Sequence, residues 1–321
     1  MIPAFPKFKK LEITDKHDIE KITKQFPPYS DFNFTSMFCW DVGNSIEISA
    51  LHENLIVRFS DYTSGKPFFS FIGKNKVYET AKATMDFSMN RGYGSALKLL
   101  PKLNSHSLPR ESEFIISPNR DQDDYVYSVS NLLSKEGKKF ETFRNQLNRF
   151  NRRYPSIETG YLNPQDPGQK REIMHLFSTW ETEKKMLLPR EQYALERCME
   201  FLASENFATI TLRDSRKGLI GFSIIEKISN VYAICHFAKA NFSYSGIYYR
   251  LMHETARFLN HLNIPYLNYE QDLGENGLRV AKMYFDPVFF LKKFELSFSL
   301  SQTKVVDKLY EYSKKNDTIK I

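Results

Sequence analysis

Residues 134–155, SKEGKKFETFRNQLNRFNRRYP, constrain the fold more tightly than any other stretch. Phe140, Phe143, Leu147, Phe150 and Tyr154 recur at steps of three, four, three and four. That spacing predicts an α-helix that buries one continuous apolar stripe. At about 100° per residue, Lys138, Asn145, Arg149 and Arg152 fall on the opposite side, and Arg144, Asn148 and Asn151 on one flank. Pro155 ends the helix, because a proline pushes the residue before it out of the α region. From Lys135 to Arg153 seven Lys or Arg stand against two Glu, a local excess of five in a chain whose whole excess is seven. Two uses of that charge stay open: the solvated back of an amphipathic helix, or a surface that holds a polyanion.

The rest of the chain alternates strands and helices. DKHDIEKITKQF has helical spacing; SIEISAL and NLIVRFS form a hairpin, and KPFFSFIG continues its sheet. KVYETAKATMDFSMN and SALKLLPKL read as helices, and EFIISPNRDQDDYVYSVSNLL as two strands around an acidic turn. SIETGYLN reads as a strand, and PQDPGQ (164–169) as the linker between two domains, 1–164 and 165–321. Beyond it two helices precede the strands FATITLRD, GLIGFSIIEKI and VYAICHFAKA, then the helix GIYYRLMHETARFLNHL and the strand IPYLNYEQD. A helix from about Gly277, the strand-like PVFFLKKFELSFSL and a helical tail over 302–321 close the fold. The order of elements partly repeats: SKEGKKF and SYSGIYY each open a helix that leads to YLN, which points to an internal duplication.

Composition narrows the class. With 321 residues, 41% hydrophobic and 26% charged, the chain is globular and large enough for two domains. Three widely spaced cysteines (Cys39, Cys198, Cys235) give no disulfide framework and no zinc knuckle, and no metal site is expected. The N-terminus lacks a signal-peptide core and no run approaches a membrane span, so a cytoplasmic protein without an integral membrane segment is expected.

Most motifs fail on chemistry. HETAR begins like a zincin helix but puts Arg257 where the second histidine must stand. DLGENG puts Gly274 and Met283 where a calcium loop needs ligands. Two features survive. The first is a strand end with Asn268, Glu270 and Asp272 on one face by the two-residue period, then a Gly-rich turn, then Arg279 and Lys282 on a helix. These groups either line a cleft or leave the core for water, with Glu270 paired to Arg279 or Lys282. The second is the pair of strand–S-x-x-G–helix junctions at Gly137 and Gly246, where main-chain N–H groups suit a phosphate.

These residues resemble a family. SYSGIY (243–248) and SKEGKK (134–139) resemble the [RQ]-x-x-G-x-[GA] junction with which GNAT acyltransferases hold the pyrophosphate of coenzyme A. Both keep the central glycine, but Tyr248 and Lys139 crowd the last position. GKKF with RNQLNRF, the stretch from Glu226 to Tyr248 and NYEQDLGENGLRVAKMYFDP (268–287) are similar to an uncharacterised bacterial tandem-GNAT family. That family is related to the C-terminal domain of phosphatidylglycerol lysyltransferases and, distantly, to Fem-type aminoacyltransferases.

The resemblance implies an α+β fold of two tandem GNAT-like domains, each a twisted mixed sheet flanked by helices. It implies an acyl- or aminoacyltransferase whose donor is an aminoacyl-tRNA or an acyl-CoA. The acceptor would be a small molecule, a peptide or a lipid headgroup. Glu270 or Asp272 would serve as base or acceptor anchor, with Asn268, Lys239, Gly246, Tyr248, Arg279 and Lys282 binding substrate. Gly137, Lys138, Lys139, Arg144 and Asn148 would hold phosphate, with tRNA as the partner. A non-catalytic tandem-GNAT binding module and an acetyl-CoA-dependent N-acyltransferase are the alternatives.

Overall fold

The computed structural model describes residues 1–61, 65–109, 112–184 and 189–298, so the expected tail over 302–321 lies outside the described residues. In chain order the strands begin with β1 (Lys9–Lys10), β2 (Glu47–Leu51), β3 (Asn54–Ser60), β4 (Pro67–Ile72) and β5 (Ala96–Pro101). They continue with β6 (Phe114–Pro118), β7 (Asp124–Ser128), β8 (Glu158–Tyr161), β9 (Phe207–Asp214) and β10 (Gly218–Lys227). The last are β11 (Tyr232–Ala240), β12 (Tyr266–Asn268), β13 (Phe289–Leu291) and β14 (Lys293–Phe298). The first five helices are α1 (Lys16–Thr23), α2 (Phe34–Trp40), α3 (Val77–Asn90), α4 (Lys102–His106) and α5 (Val129–Ser134). The others are α6 (Glu141–Arg153), α7 (Pro167–Lys184), α8 (Pro189–Cys198), α9 (Ile247–His261) and α10 (Asn276–Met283).

The architecture is α+β, with two mixed sheets flanked by helices. The chain divides into two compact units, and they do not follow the expected cut at residue 164. Among the described residues one unit comprises Met1–Leu11, Ser45–Arg120 and 292–298; the other comprises Glu12–Asn44 and Asp121–Leu291. Strand pairing is the reason. β7 and β8, early in the chain, belong to the second sheet, whereas β14, late in the chain, pairs with β5 and β6 in the first. PQDPGQ is therefore no interdomain linker; it joins β8 to α7 inside the second unit.

In the first unit the sheet order is β1-β2-β3-β4-β5-β14-β6. The β2–β3 hairpin turns through His52 and Glu53, both at positive φ, as a two-residue turn matched to strand twist requires. SALKLLPKL, expected to be helical, is mostly strand β5, because its apolar residues are buried beside β4 and β14. α3 carries the crossover between parallel β4 and β5. The loop that opens α3 is filled by Asn54, whose amide donates to Asn75 O at 2.6 Å and to Thr80 Oγ1 at 2.8 Å.

In the second unit the order is β13-β7-β12-β11-β10-β9-β8. β10 reads as an almost unbroken buried run, as a central strand covered on both faces should. β11 and β12 are parallel, joined by α9, but they pair only from Tyr232↔Tyr266 to Ile234↔Asn268. β11 then runs on to Ala240 while β12 stops, so the two strands part at their carboxyl ends, where open α/β sheets place their ligands.

α6 is the helix its spacing predicts, with Phe143, Leu147 and Phe150 buried and Arg149, Arg152 and Arg153 exposed. The expected duplication is not what its sequence matches suggest. SKEGKKF follows helix α5 rather than a strand, and both S-x-x-G junctions lie in the second unit. The YLN at Tyr161 closes an antiparallel sheet edge, while Tyr266–Asn268 is the parallel neighbour of β11.

Gly246 opens α9 at φ +88°, and a Cβ there would lie 3.0 Å from Gln146 O and 3.3 Å from Phe150 Cβ of α6. The glycine is required by close helix packing as well as by its left-handed backbone. Gly246→Ala is expected to destabilise the second unit by about 1–3 kcal/mol in chemical denaturation, with no ligand present.

Candidate active site

The start of α2 and its N-cap bring Asn33, Thr35 and Ser36 over the second sheet. Asn33 caps α2 by accepting from Ser36 N at 2.8 Å, and its amide donates to Glu226 Oε2 on β10 at 3.0 Å. Thr35 Oγ1 donates to Glu226 Oε1 at 3.1 Å. The segment is tied down by Asp124 on β7, which accepts from Ser30 N at 2.8 Å and Ser30 Oγ at 2.6 Å. Asn268 adds a bond from its amide to Pro28 O at 2.7 Å.

A β-bulge supplies the central group. Ile224 pairs with Phe237 and Ile225 with Cys235, so His236 is the extra residue of β11. Its ring lies against Phe207 with centroids 6.0 Å apart. Nε2 lies 2.9 Å from Glu226 Oε2, and Nδ1 lies 3.5 Å from Glu270 Oε1 and 3.4 Å from Ser36 Oγ. Burial pulls the imidazole pKa down, but the hydrogen bonds to Glu226 and Glu270 outweigh it and raise it to about 10. Burial likewise pushes the Glu226 carboxyl up, and its bond to His236 more than offsets this, leaving it below the usual range. At neutral pH the histidine is therefore an imidazolium between two carboxylates.

Glu270 is the most exposed member of this trio. The Glu226 and His236 side chains are 4% and 2% exposed, whereas that of Glu270 is 18% exposed. Its backbone sits at φ +56°, a left-handed conformation that a non-glycine residue adopts only under constraint. The constraints are visible: Glu270 N donates to Asn268 Oδ1 at 2.8 Å, and Glu270 O accepts from Tyr125 N at 3.1 Å.

That twist also corrects the expectation that Asn268, Glu270 and Asp272 share one strand face. β12 ends at Asn268, and the alternation breaks at Glu270. Asp272 points elsewhere, fully buried, and accepts from Tyr125 Oη, from Gly274 N and from Arg279 Nε and Nη2 at 2.9 and 2.8 Å. Burial pushes its carboxyl up, but Arg279 and Tyr125 pull it down to about 2. Both of its oxygens are thus engaged within the turn, where they brace the loop against α10. Arg279 also binds Asp121 at 2.6 Å and completes the brace. Lys282 spends its ammonium on the carbonyls of residues 269–271 instead of presenting it to an anion.

The other expected residues fall outside this cluster. Lys239 pairs with Glu191 at 2.6 Å and lies 3.6 Å from the Trp180 ring centroid, joining β11 to α7 and α8. Tyr248 Oη accepts from Ala240 N at 3.2 Å and from Trp180 Nε1 at 3.1 Å. It occupies the edge of β11 that parting from β12 leaves open. At the first junction Arg144 donates to Lys135 O and, at 2.8 Å, to Gly137 O, and Lys139 pairs with Asp286 at 2.6 Å. Lys138 and Asn148 are exposed, and nothing lies within 4 Å of a Cβ built on Gly137. A surface cleft of about 550 Å³ opens elsewhere, between the start of α7 and the β9–β10 turn, and none of the relay residues lines it.

Glu226, His236, Ser36, Asn33 and Thr35 are the residues that sequence spacing does not single out, because 190 or more positions separate the α2 segment from its partners on β10 and β11. The one signal is that Glu226 and His236 both lie in the stretch that carries the family resemblance.

The relay has a pH signature. The His236 pKa lies above its unfolded value, so its charge-dependent stabilisation is complete below about pH 6.5 and is lost as pH rises through about 10. The stability difference between the wild type and His236→Gln, from denaturant melts, is expected to shrink steadily from pH 7 to pH 10. A difference that stays constant over that window contradicts the imidazolium.

No curated protein sequence matches the chain. A conserved protein of unknown function from Bacteroides thetaiotaomicron has a similar structure, with a TM-score of 0.79 and 22% identity over 93% of this chain and 100% of that one. L-PGS from Bacillus licheniformis superposes with a TM-score of 0.62 and 13% identity, over 92% of this chain and 96% of that one. The C-terminal domain of a putative lysylphosphatidylglycerol synthetase from Agrobacterium fabrum gives 0.61 and 12%, over 91% and 94%. At these identities the likeness is one of fold. Among the described residues no helix is long and apolar enough to cross a membrane. The family match runs over residues 23–296, most of the chain, and the protein belongs to the family of phosphatidylglycerol lysyltransferase C-terminal domains.

Proposed function

We propose that the second unit is an acyltransferase that moves an aminoacyl group from an activated ester, such as an aminoacyl-tRNA, to an amine or hydroxyl acceptor. Family and fold support an acyltransferase-type function. The observation that carries it is the half-buried Glu270 carboxylate at the end of the buried Glu226–His236 pair.

In this reading Glu270 accepts the proton of the attacking N–H or O–H as the new bond to the carbonyl carbon forms. The ester C–O bond then breaks, and the ribose oxygen leaves as a hydroxyl by taking back the proton that Glu270 accepted, which restores the carboxylate. His236 holds the carboxylate in place and keeps a positive charge behind it. A positioned base contributes about 10²–10⁴-fold.

Two observations favour an ester over a coenzyme A thioester. The Gly246 junction is packed against α6 at Gln146 and Phe150, and the Tyr154 ring lies tilted against Tyr244 with centroids 5.0 Å apart. The open edge of β11 is already bonded by Tyr248. The exposed Lys138, Arg149, Arg152 and Arg153 offer a surface for the phosphates of a tRNA.

Glu270→Gln is expected to lower the transfer rate by about 10²–10⁴-fold while circular dichroism stays unchanged; an unaltered rate removes Glu270 from the chemistry. Binding of charged tRNA is expected to weaken with salt at a log–log slope of about −2 to −4, for three or four neutralised phosphates. Arg149→Glu with Arg152→Glu should flatten that slope. Thermal stabilisation by acetyl-CoA rather than by charged tRNA would favour the N-acyltransferase alternative, and a response to neither would favour a binding module.

A further inference from the structure

Helix α10 is packed inside out. Val280, Met283 and Leu278 are 53%, 48% and 42% exposed, while the one residue of the helix that is buried is Lys282. Burying a lysine is unfavourable where burying those apolar side chains would be favourable, so the contacts of its ammonium must offset the desolvation.

The Lys282 Nζ donates to Tyr269 O at 2.6 Å, Glu270 O at 3.1 Å and Gln271 O at 2.6 Å. An ammonium has three donors, and here three successive carbonyls take them. Successive carbonyls converge on one point only where the chain is sharply turned, and the left-handed Glu270 makes that turn. Without a cation between them the three carbonyl dipoles oppose one another. The rings of Tyr125 and Tyr269 close the sides, with centroids 5.5 and 5.4 Å from Nζ. The charges that act on the ammonium are the carboxylates of Glu270, Asp124 and Asp272.

We propose that Lys282 is a tethered cation filling a three-carbonyl site, and that this site sets the backbone of Glu270 so that its carboxylate meets His236. Lys282 is thus a positioning residue, and the site beneath it takes a small monovalent cation of the ammonium or potassium class once the side chain is removed. Burial lowers the Lys282 pKa to about 8, in keeping with an ammonium that desolvation opposes. The activity arm of the test rests on the transferase reading; the binding arm does not.

The experiment compares wild type, Lys282→Ala and Lys282→Met in the presence of methylammonium, ammonium, potassium or tetramethylammonium. Lys282→Ala is expected to melt lower than wild type and to recover by about 5 °C, saturably, with methylammonium or ammonium. Tetramethylammonium, whose methyl groups keep its charge out of reach of the carbonyl oxygens, should have no such effect, and neither wild type nor Lys282→Met should respond. The transfer rate of Lys282→Ala is expected to rise at least tenfold with methylammonium.

Equal response of all three proteins, or of none, overturns the proposal. If Lys282→Ala does not fold alone, the amines are supplied during refolding: recovery with methylammonium only supports the site, and no recovery with either amine overturns it. Saturable stabilisation in a protein whose wild type transfers nothing would keep the cation site and remove the transferase reading. An active Lys282→Ala indifferent to every cation would do the reverse.

Discussion

A buried imidazolium held between two carboxylates organises the second unit. His236 draws Glu226 from β10, Glu270 from the turn after β12 and Ser36 from α2 to one point. Elements far apart in the chain are thereby committed to one geometry. Removing one partner of a buried ion pair typically costs about 3–5 kcal/mol, because the other charge is left without compensation. That penalty makes the arrangement specific: α2 must cap with Asn33, β11 must bulge, and the chain must turn left-handed at Glu270. The bulge and the left-handed residue are both local departures from regular structure, and both serve to aim a side chain.

The basic residues of NYEQDLGENGLRVAK act on the same turn from its far side. Arg279 anchors Asp272 and Asp121, and Lys282 gathers the carbonyls of residues 269–271. The segment is therefore a clasp in which loop and helix hold each other, leaving Glu270 as the group that faces outward. Its carboxylates have separate tasks. Asp272 is bonded on both oxygens and has a depressed pKa, while Glu270 stays partly open. Tyr248 and the packing of α6 on Gly246 then determine which part of the sheet remains available.

Much of this was legible in the sequence, for local reasons. The α6 stripe, the β2–β3 hairpin and the long apolar runs of β9 to β11 all follow from spacing or from short motifs. SALKLLPKL misleads because a short apolar run fits a buried strand as well as a helix. The cut at residue 164 misleads because a Pro- and Gly-rich loop looks the same inside a unit as between units, and strand pairing across the chain leaves no local trace. Asp272 looks equivalent to Glu270 under strict alternation, and one left-handed residue removes that equivalence. His236 and Glu226 carry no pattern of their own; a bulge and a helix some 200 residues away give them meaning.

The charge state of His236 tests the account most directly. Imidazole nitrogen chemical shifts from ¹⁵N NMR at pH 8 are predicted to show both ring nitrogens protonated, with the titration displaced to about pH 10 and brought down by Glu226→Gln. A neutral ring at pH 8, titrating near the ordinary value of about 6.5 and unmoved by Glu226→Gln, would contradict the relay and the placement of Glu270 that depends on it.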